Sequence, residues 1–373
     1  KYITLYHLIF VVKIKIIMKV CILGNGLISL TLAQTLVKQG IYVDIFSSKN
    51  RINYKKTQTL GISRSNVNFF NKNILNIQNL LWDINKIEIY SENLNNEKIL
   101  NFENQNEKLF SIVKNYQLYN LLLQELKKNY LCSFKKTINL KDLLRRNYKL
   151  IINTDYSNPL TKKLFHRQFR KNYKSFAYTS IIKHKKLKNN IATQIFTSKG
   201  PLAFLPVSKT ETSIVYSFSG NKKIDFKQCV KRYNNRYEIL SFRDISSFKL
   251  ISSDLRSYFN KNVLAFGDLL HKIHPLAGQG FNMSLRDTRE ILNLIMLKKE
   301  NGLDLDYSIC IDFEKKTRHK NLIFSNSIDF IYEYFNFENK VKKNFLSKAV
   351  KYLGNNNKIN KILTNVADNG FMI

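Results

Sequence analysis

The sequence predicts an α/β chain, α+β overall: a Rossmann-like nucleotide-binding unit interleaved with an antiparallel β-sheet and followed by a helical C-terminal tail. Three observations carry this expectation. Lys19–Phe46 reads as strand, glycine turn, helix and strand. Tyr173–Phe218 alternates in the two-residue rhythm of half-buried strands, and Val263–Leu292 passes from an apolar strand through a glycine loop into a helix. The 373 residues suffice for two domains or one large interleaved unit, and a hydrophobic content of 44% excludes wholesale disorder.

Lys and Arg number 61 against 27 Asp and Glu, a formal charge of +34. Such an excess fits nucleic-acid binding, attraction to an anionic membrane surface, or mutational bias. The basic residues are spread along the whole chain among Asn and Ile, with no arginine-rich arm. That ranks bias first, a membrane surface second and nucleic acid last. Cys21, Cys132, Cys229 and Cys310 show no paired spacing, so neither a zinc site nor a disulfide framework is expected, and a reducing compartment suits them.

In chain order, residues 1–17 are apolar and aromatic, too short for a membrane span and without a following cleavage site. They read as an extension ahead of Met18, with a membrane-touching anchor as the lesser alternative. Lys19–Leu23 is a buried strand. Gly24-Asn25-Gly26-Leu27-Ile28-Ser29 then forms the G-x-G-x-x-[G/A] turn with Ser29 in the third place. The helix that follows runs to about Gln39, with Leu30, Ala33, Leu36 and Val37 on one face. Ile41–Phe46 is the second strand. The acid that would bind a ribose is missing from its end, where Ser47 stands, while Asp44 lies inside the strand.

Residues 71–107 read as a polar, Asn-rich excursion into a second, antiparallel layer, with strand-like pieces such as Lys86–Tyr90. Leu109–Leu126 has helical spacing, Leu150–Asp155 is a strand ending in an acid, Thr212–Ser219 a strand and Phe226–Phe242 a helix. No repeat of the solenoid kind occurs.

The most informative stretch is Gly267–Asp287, G-D-L-L-H-K-I-H-P-L-A-G-Q-G-F-N-M-S-L-R-D. A strand end, a glycine loop and a helix start, expected near Asn282, together offer free backbone N–H groups to an anion. Gly278 and Gly280 let backbone approach a flat ligand, and Asp268 can accept from a sugar hydroxyl. His271 and His274 lack nearby ligands for a metal, and a packing or capping role is favoured for His271.

This stretch closely resembles the second flavin-binding motif of FAD-dependent aromatic hydroxylases. The nearest match is the ubiquinone-biosynthesis hydroxylase family, with its G-D-x-x-H-x-x-H-P-L-A-G-Q-G-x-N-x-x-x-x-D. Thr57–Ser65 is similar to a further family block, with Gln58 where arginine is usual. Ala192–Phe196 and Gly200–Pro206 resemble a block of the substrate-domain sheet that general flavin hydroxylases do not share. Asn115 and Gln117 resemble the helix that covers the flavin. Asp155 is kept, but Tyr156 replaces the glycine after it.

The resemblance implies an FAD-binding domain from residues 18–70, 108–160 and 256–300, a substrate domain from 71–107 and 161–255, and a helical region over 301–373, with 1–17 outside the domains. It implies a monooxygenase that reduces FAD with NAD(P)H, forms a flavin C4a-hydroperoxide with O2, and hydroxylates the ring of a polyprenylated phenol. Gly24, Gly26 and Ser29 are then expected at the pyrophosphate, with Ser47 or Asp44 near the ribose. Gln58, Gln117 and Asp155 join the cofactor set. Asp268 is assigned to the ribityl or pyrophosphate region, and Gly278, Gln279, Gly280 and Asn282 to the flavin ring. His274 and Pro275 are placed on the oxygen-reactive side, and no metal is expected. The implied setting is the cytoplasmic surface of the inner membrane, with other ubiquinone-synthesis proteins as partners and no nucleic acid.

Two rivals stay open at this level. One is an FAD hydroxylase or epoxidase of another aromatic or isoprenoid substrate, which the Gly200–Pro206 block opposes. The other is a non-catalytic flavoprotein subunit of a quinone-synthesis complex. Ser29, Ser47, Gln58 and Tyr156 favour it, and the intact Gly267–Asp287 stretch opposes it.

Overall fold

The computed structural model describes residues 18–47, 52–103, 108–136, 140–146, 148–220, 224–275, 278–341, 344–354 and 356–370; the expectation for residues 1–17 lies outside them. The first half contains β1 (Lys19–Leu23), α1 (Leu27–Lys38), β2 (Tyr42–Ser47), β3 (Thr59–Ser63), α2 (Arg64–Asn73), β4 (Trp82–Ile84), β5 (Lys86–Ser91), β6 (Glu97–Glu103), β7 (Phe110–Lys114), α3 (Asn115–Lys128), β8 (Cys132–Lys136), α4 (Leu140–Arg145), β9 (Leu150–Asn153) and α5 (Pro159–Leu164). The second half contains β10 (Gln168–His184), β11 (Ile191–Thr197), β12 (Gly200–Pro206), β13 (Glu211–Ser219), α6 (Phe226–Tyr233), β14 (Ile239–Phe242), β15 (Ser246–Leu255), β16 (Phe259–Asn260), β17 (Val263–Ala265) and β18 (His271–Lys272). The helices α7 (Gln279–Glu300), α8 (Ser308–Val341), α9 (Phe345–Gly354) and α10 (Asn357–Asn369) complete it.

Six strands form a sheet in the order β16-β17-β9-β1-β2-β8, with β1 parallel to both β2 and β9. These strands read as unbroken apolar runs because both faces are covered; Val20, Cys21, Ile22, Val43 and Ile45 are all fully buried. The apolar face expected of α1 is buried too, and α1 packs against α3 and α7.

A second sheet runs β18-β15-β10-β13-β12-β11-β5-β6, with β14 added on β10. All its described pairings are antiparallel except β11 with β5. The 71–107 segment therefore reaches the second layer through Lys86–Ser91 and Glu97–Glu103, its β5–β6 edge. A third sheet, β3-β7-β4, sets Thr59–Ser63 beside Phe110–Lys114.

Three sequence expectations need correction. Residues 110–114 are a strand, because β7 lies between β3 and β4 and both neighbours require extended backbone; the helix begins at Asn115. Phe226–Phe242 divides into α6 and β14. The Asn234 side chain accepts from the N–H groups of Arg236 and Tyr237 and donates to Tyr237 O, closing a turn that ends the helix. The helix expected near Asn282 starts at Gln279, because Gly278 caps it in the left-handed region at φ 63°.

Two buried polar groups tie elements together. The Asp44 side chain is 3% exposed and accepts from Lys19 Nζ at 2.8 Å and Lys135 Nζ at 2.6 Å, with the Tyr148 hydroxyl as a third donor. It thus joins β1, β2 and β8 and is withdrawn from any ribose. Burial works to raise its pKa, but the bonds from Lys135, Lys19 and Tyr148 outweigh it and hold the carboxyl below its ordinary value. His271 Nε2 lies 2.5 Å from Asp287 Oδ2, and Asn321 Nδ2 donates to Asp287 Oδ1 at 3.0 Å, joining β18, α7 and α8. Burial alone would lower the imidazole pKa; the charge and hydrogen bond of Asp287 reverse this and raise it.

Each group predicts one limb of the stability profile. The contribution of Asp44 is complete above the ordinary aspartate pKa of about 3.9 and is lost as pH falls through its lower native value. Asp44→Asn should cost about 2 kcal/mol at neutral pH and flatten the acid limb of a urea-denaturation series. The contribution of His271 is complete below about 6.5 and is lost as pH rises through its higher native value. Asp287→Asn should remove that alkaline limb in the same series, and an unaltered profile would refute the pairing.

Candidate functional site

The expected cofactor residues fall into two neighbouring groups. The first surrounds the start of α1. Gly24 sits at φ 106°, and a Cβ there would lie 2.5 Å from Thr154 Oγ1, so only glycine fits. Ser29 is fully buried with its hydroxyl 2.6 Å from that of Thr154. It packs α1 onto the end of β9 instead of facing a phosphate, which corrects its expected role and explains why serine replaces the third glycine.

Gly26 caps α1, and the first helical N–H, from Leu27, donates to the Tyr54 hydroxyl at 3.0 Å. The Tyr54 ring is braced by Tyr119, 5.1 Å away. A Cβ on Gly267 would reach Ile28 Cγ2 at 2.7 Å, so α1 and the Gly267 turn touch directly. Burial raises the Tyr54 pKa, the Leu27 N–H lowers it, and the nearby Asp268 charge raises it further. Asp268 itself is exposed between the buried Gly267 and Leu269. Crowding by protein raises its carboxyl pKa against the pull of His271 and Lys272.

Ser47 ends β2, half-buried and opposite Lys136 of β8. Asp155 accepts from the Ser157 N–H at 2.8 Å and hydroxyl at 2.7 Å, and so shapes the turn beside Gly24. Tyr156 reaches Ser253 Oγ at 2.8 Å, tying the end of β9 to β15.

The second group lines a cavity of about 740 Å³. Gln58, Pro275, Gly278, Gln279 and Asn282 are on its wall. Four buried polar atoms there, Thr57 Oγ1, Asn115 Oδ1, Thr179 Oγ1 and Gln279 Oε1, have no hydrogen-bond partner. Buried polar atoms seldom go unpaired, so these mark the edge of a polar ligand. Thr57 and Tyr54 were not singled out from sequence, because a lysine-rich loop carries no signal that either side chain turns inward. Much of the remaining wall is apolar, from Ile87, Ile89 and Phe196 on the second sheet to Phe335, Val350 and Ile359 on the C-terminal helices.

Four expected positions differ. His274 is 1% exposed, with its ring 4.3 Å from Tyr332 and 4.9 Å from Tyr173, and it is absent from the cavity wall. Burial and Lys171 push its pKa down to about 3, so the ring stays neutral and packs. Gly280 lies in the first turn of α7, where a Cβ would meet only Ile273 at 3.9 Å; Gly278 makes the close approach instead. Gln117 is half-buried in α3, off the wall. Asn282 is on the wall, but its amide is engaged: it donates to Gly61 O at 2.9 Å and accepts from the Ser63 N–H at 2.8 Å. Among the described residues, no group of three or more His, Cys, Asp or Glu could hold a metal ion.

The loop through residues 52–58 passes from Tyr54 in the first group to Thr57 in the second, and residues 267–279 span the same two places. An elongated ligand with an anionic middle and a flat, polar-edged head suits that layout.

No family model matches the chain. It is 25% identical over 245 residues to the mitochondrial ubiquinone biosynthesis monooxygenase COQ6 of Xenopus tropicalis, 53% of each protein. It is also 25% identical over 152 residues to the 3-demethoxyubiquinol 3-hydroxylase of Escherichia coli, 38% of this chain and 39% of that one. The matches thus span about half the length of these curated relatives or less. Among solved structures, p-nitrophenol 4-monooxygenase from Pseudomonas putida superposes with a TM-score of 0.76 at 11% identity, covering 96% of this chain and 99% of that one. HpxO of Klebsiella pneumoniae, complexed with FAD and uric acid, gives 0.71 at 12% identity, over 94% and 97%. The chain has the fold of these monooxygenases, and its sequence is similar to the ubiquinone-biosynthesis monooxygenases.

Proposed function

We propose that the protein is an FAD-dependent monooxygenase that hydroxylates the aromatic ring of a polyprenylated phenol in ubiquinone biosynthesis, using NAD(P)H and O2. The observation that carries this reading is the cavity, polar at Thr57, Asn115 and Gln279 and apolar from there to the C-terminal helices. At about 740 Å³ it has room for a flat ring system and for an apolar group beyond it. The residues present fit FAD. Gly24, Gly26 and the Leu27 N–H would hold the pyrophosphate, with the Tyr54 hydroxyl displaced or sharing the site, and Asp268 would lie beside it. Gly278, Gln279, Gln58 and Asn115 would border the ring system. When bound, FAD supplies the electron transfer from NAD(P)H and the activation of O2.

The chain supplies orientation and dryness. Among the described wall residues the one carboxylate is Asp368, and it already accepts from the Ser65 N–H at 2.8 Å. No wall residue is thus placed as a general base, and positioning of the ring carries the work. We further propose that the six-stranded sheet and its helices form the cofactor domain and the nine-stranded sheet the substrate domain, divided along the sequence boundaries given above, with β18 lent to the nine-stranded sheet by the cofactor domain. The same reading includes a membrane surface on the cytoplasmic side and other ubiquinone-synthesis proteins as partners. Among the described residues, no helix is long and apolar enough to cross a membrane.

Purified protein should carry flavin absorbance in proportion to protein. Gly278→Val adds a β-branched side chain at φ 63° on the cavity wall and should lose the flavin, whereas Gly280→Ala should retain it. Equal flavin content in the two variants would remove the assignment of this loop.

In a bacterial strain lacking a ubiquinone ring hydroxylase, the wild-type chain should restore quinone and respiratory growth, and Gly278→Val should not. Quinone intermediates are measured alongside growth. Turnover of an unrelated phenol, with every ring-hydroxylase deletion left uncorrected, would overturn the quinone assignment and leave the flavin reading.

A further inference from the structure

The outward positions of the two last helices have an unusual composition. On α9, Phe345 is 69% and Tyr352 is 82% exposed, with Lys348 on the same side one turn from Phe345. On α10, Ile362 is 62% exposed, beside the exposed Lys358 and Lys361. α9 contains no acidic residue, and the only one on α10 is Asp368, which is half-buried and bonded to Ser65. These faces therefore offer water only cations, apolar or aromatic side chains, and neutral polar groups. That is the composition of a helix lying in the headgroup region of a membrane, with apolar groups reaching inward and lysines at the phosphates.

The same helices form part of the cavity wall. Leu353 of α9 and Leu363 of α10 line the cavity and are also 46% and 41% exposed. Phe330 and Ile331 of α8 are likewise both on the wall and exposed. An apolar chamber whose rim lies among interfacial side chains can receive a lipid-dissolved chain without exposing it to water. An acidic protein partner would match the lysines but leave Phe345, Tyr352 and the apolar rim unexplained.

We propose that the outward faces of α9 and α10 dock on an anionic lipid bilayer, so that the cavity opens into it between Leu353 and Leu363. The direction of substrate entry rests on the reading of the substrate as a polyprenylated phenol, while the docking is measured without turnover.

The test is flotation of the full chain with vesicles of phosphatidylcholine alone and of phosphatidylcholine with phosphatidylglycerol. The wild type should float with the anionic vesicles only. Lys348→Gln/Lys358→Gln/Lys361→Gln should bind them roughly a hundredfold more weakly, from three surface cations lost. Phe345→Ser/Tyr352→Ser/Ile362→Ser should weaken binding about tenfold or more, even at low salt. None of these six side chains lines the cavity, so flavin content and the thermal melt should match the wild type.

A wild type that binds neither vesicle overturns the proposal, as do both triple variants binding like the wild type. Self-association of the wild type that is lost in the serine variant, with vesicle binding intact, would assign the face to a second copy and overturn it too. If flotation behaves as expected and no flavin is found, the docking stands and the proposed enzymatic function fails.

Discussion

The carboxamide of Asn282 is the point on which the site depends. It donates to Gly61 O at 2.9 Å and accepts from the Ser63 N–H at 2.8 Å and from Asn66 Nδ2 at 3.1 Å. The residue is 2% exposed, so water cannot replace these partners. Each buried group left unsatisfied would cost about 1–3 kcal/mol. One side chain thereby fixes the first turn of α7 to β3 and α2, segments more than 200 residues away. Gly61 can lie close to Gly278 because neither carries a side chain, and both form part of the cavity wall.

Around that junction the polar and apolar functions separate. The start of α1 is built from constrained glycines and from Ser29 bonded to Thr154, which leaves the Leu27 N–H and Asp268 at the ligand end. Beneath the cavity, His274, Tyr173 and Tyr332 form an aromatic layer that carries no proton work at physiological pH. Tyr332 also bonds Ser175 at 2.9 Å, locking α8 to β10. The cavity wall is largely free of charge, a setting in which a ring is oriented more than it is ionised.

What was legible in the sequence was what local physics requires. Gly24 and Gly278 adopt positive φ, at the two glycine turns that their spacing from apolar strands predicted. The parallel sheet showed itself as continuous apolar runs, and the β-rich middle as alternation. Features set by distant partners were not legible. β7 resembled the start of a helix because its strand neighbours, β3 and β4, come from elsewhere in the chain. His274 stood out within a motif, but nothing local told that Tyr173 and Tyr332 would enclose it. Asn282 was expected at the flavin ring, and nothing local told that Gly61, Ser63 and Asn66 would engage its carboxamide. Asp44 was weighed for a ribose because the two lysines that bind it lie on other strands.

Asp368 has a consequence for how the protein is made. Its backbone oxygen accepts from Ser63 Oγ at 2.9 Å and Ser65 Oγ at 2.8 Å, and its carboxylate from the Ser65 N–H, so α10 is fastened over a wall laid down 300 residues earlier. During vectorial synthesis the three sheets, the glycine turns and α7 all emerge before this fastening can exist. Among the described elements, the α10 side of the cavity wall is therefore the last to be put in place.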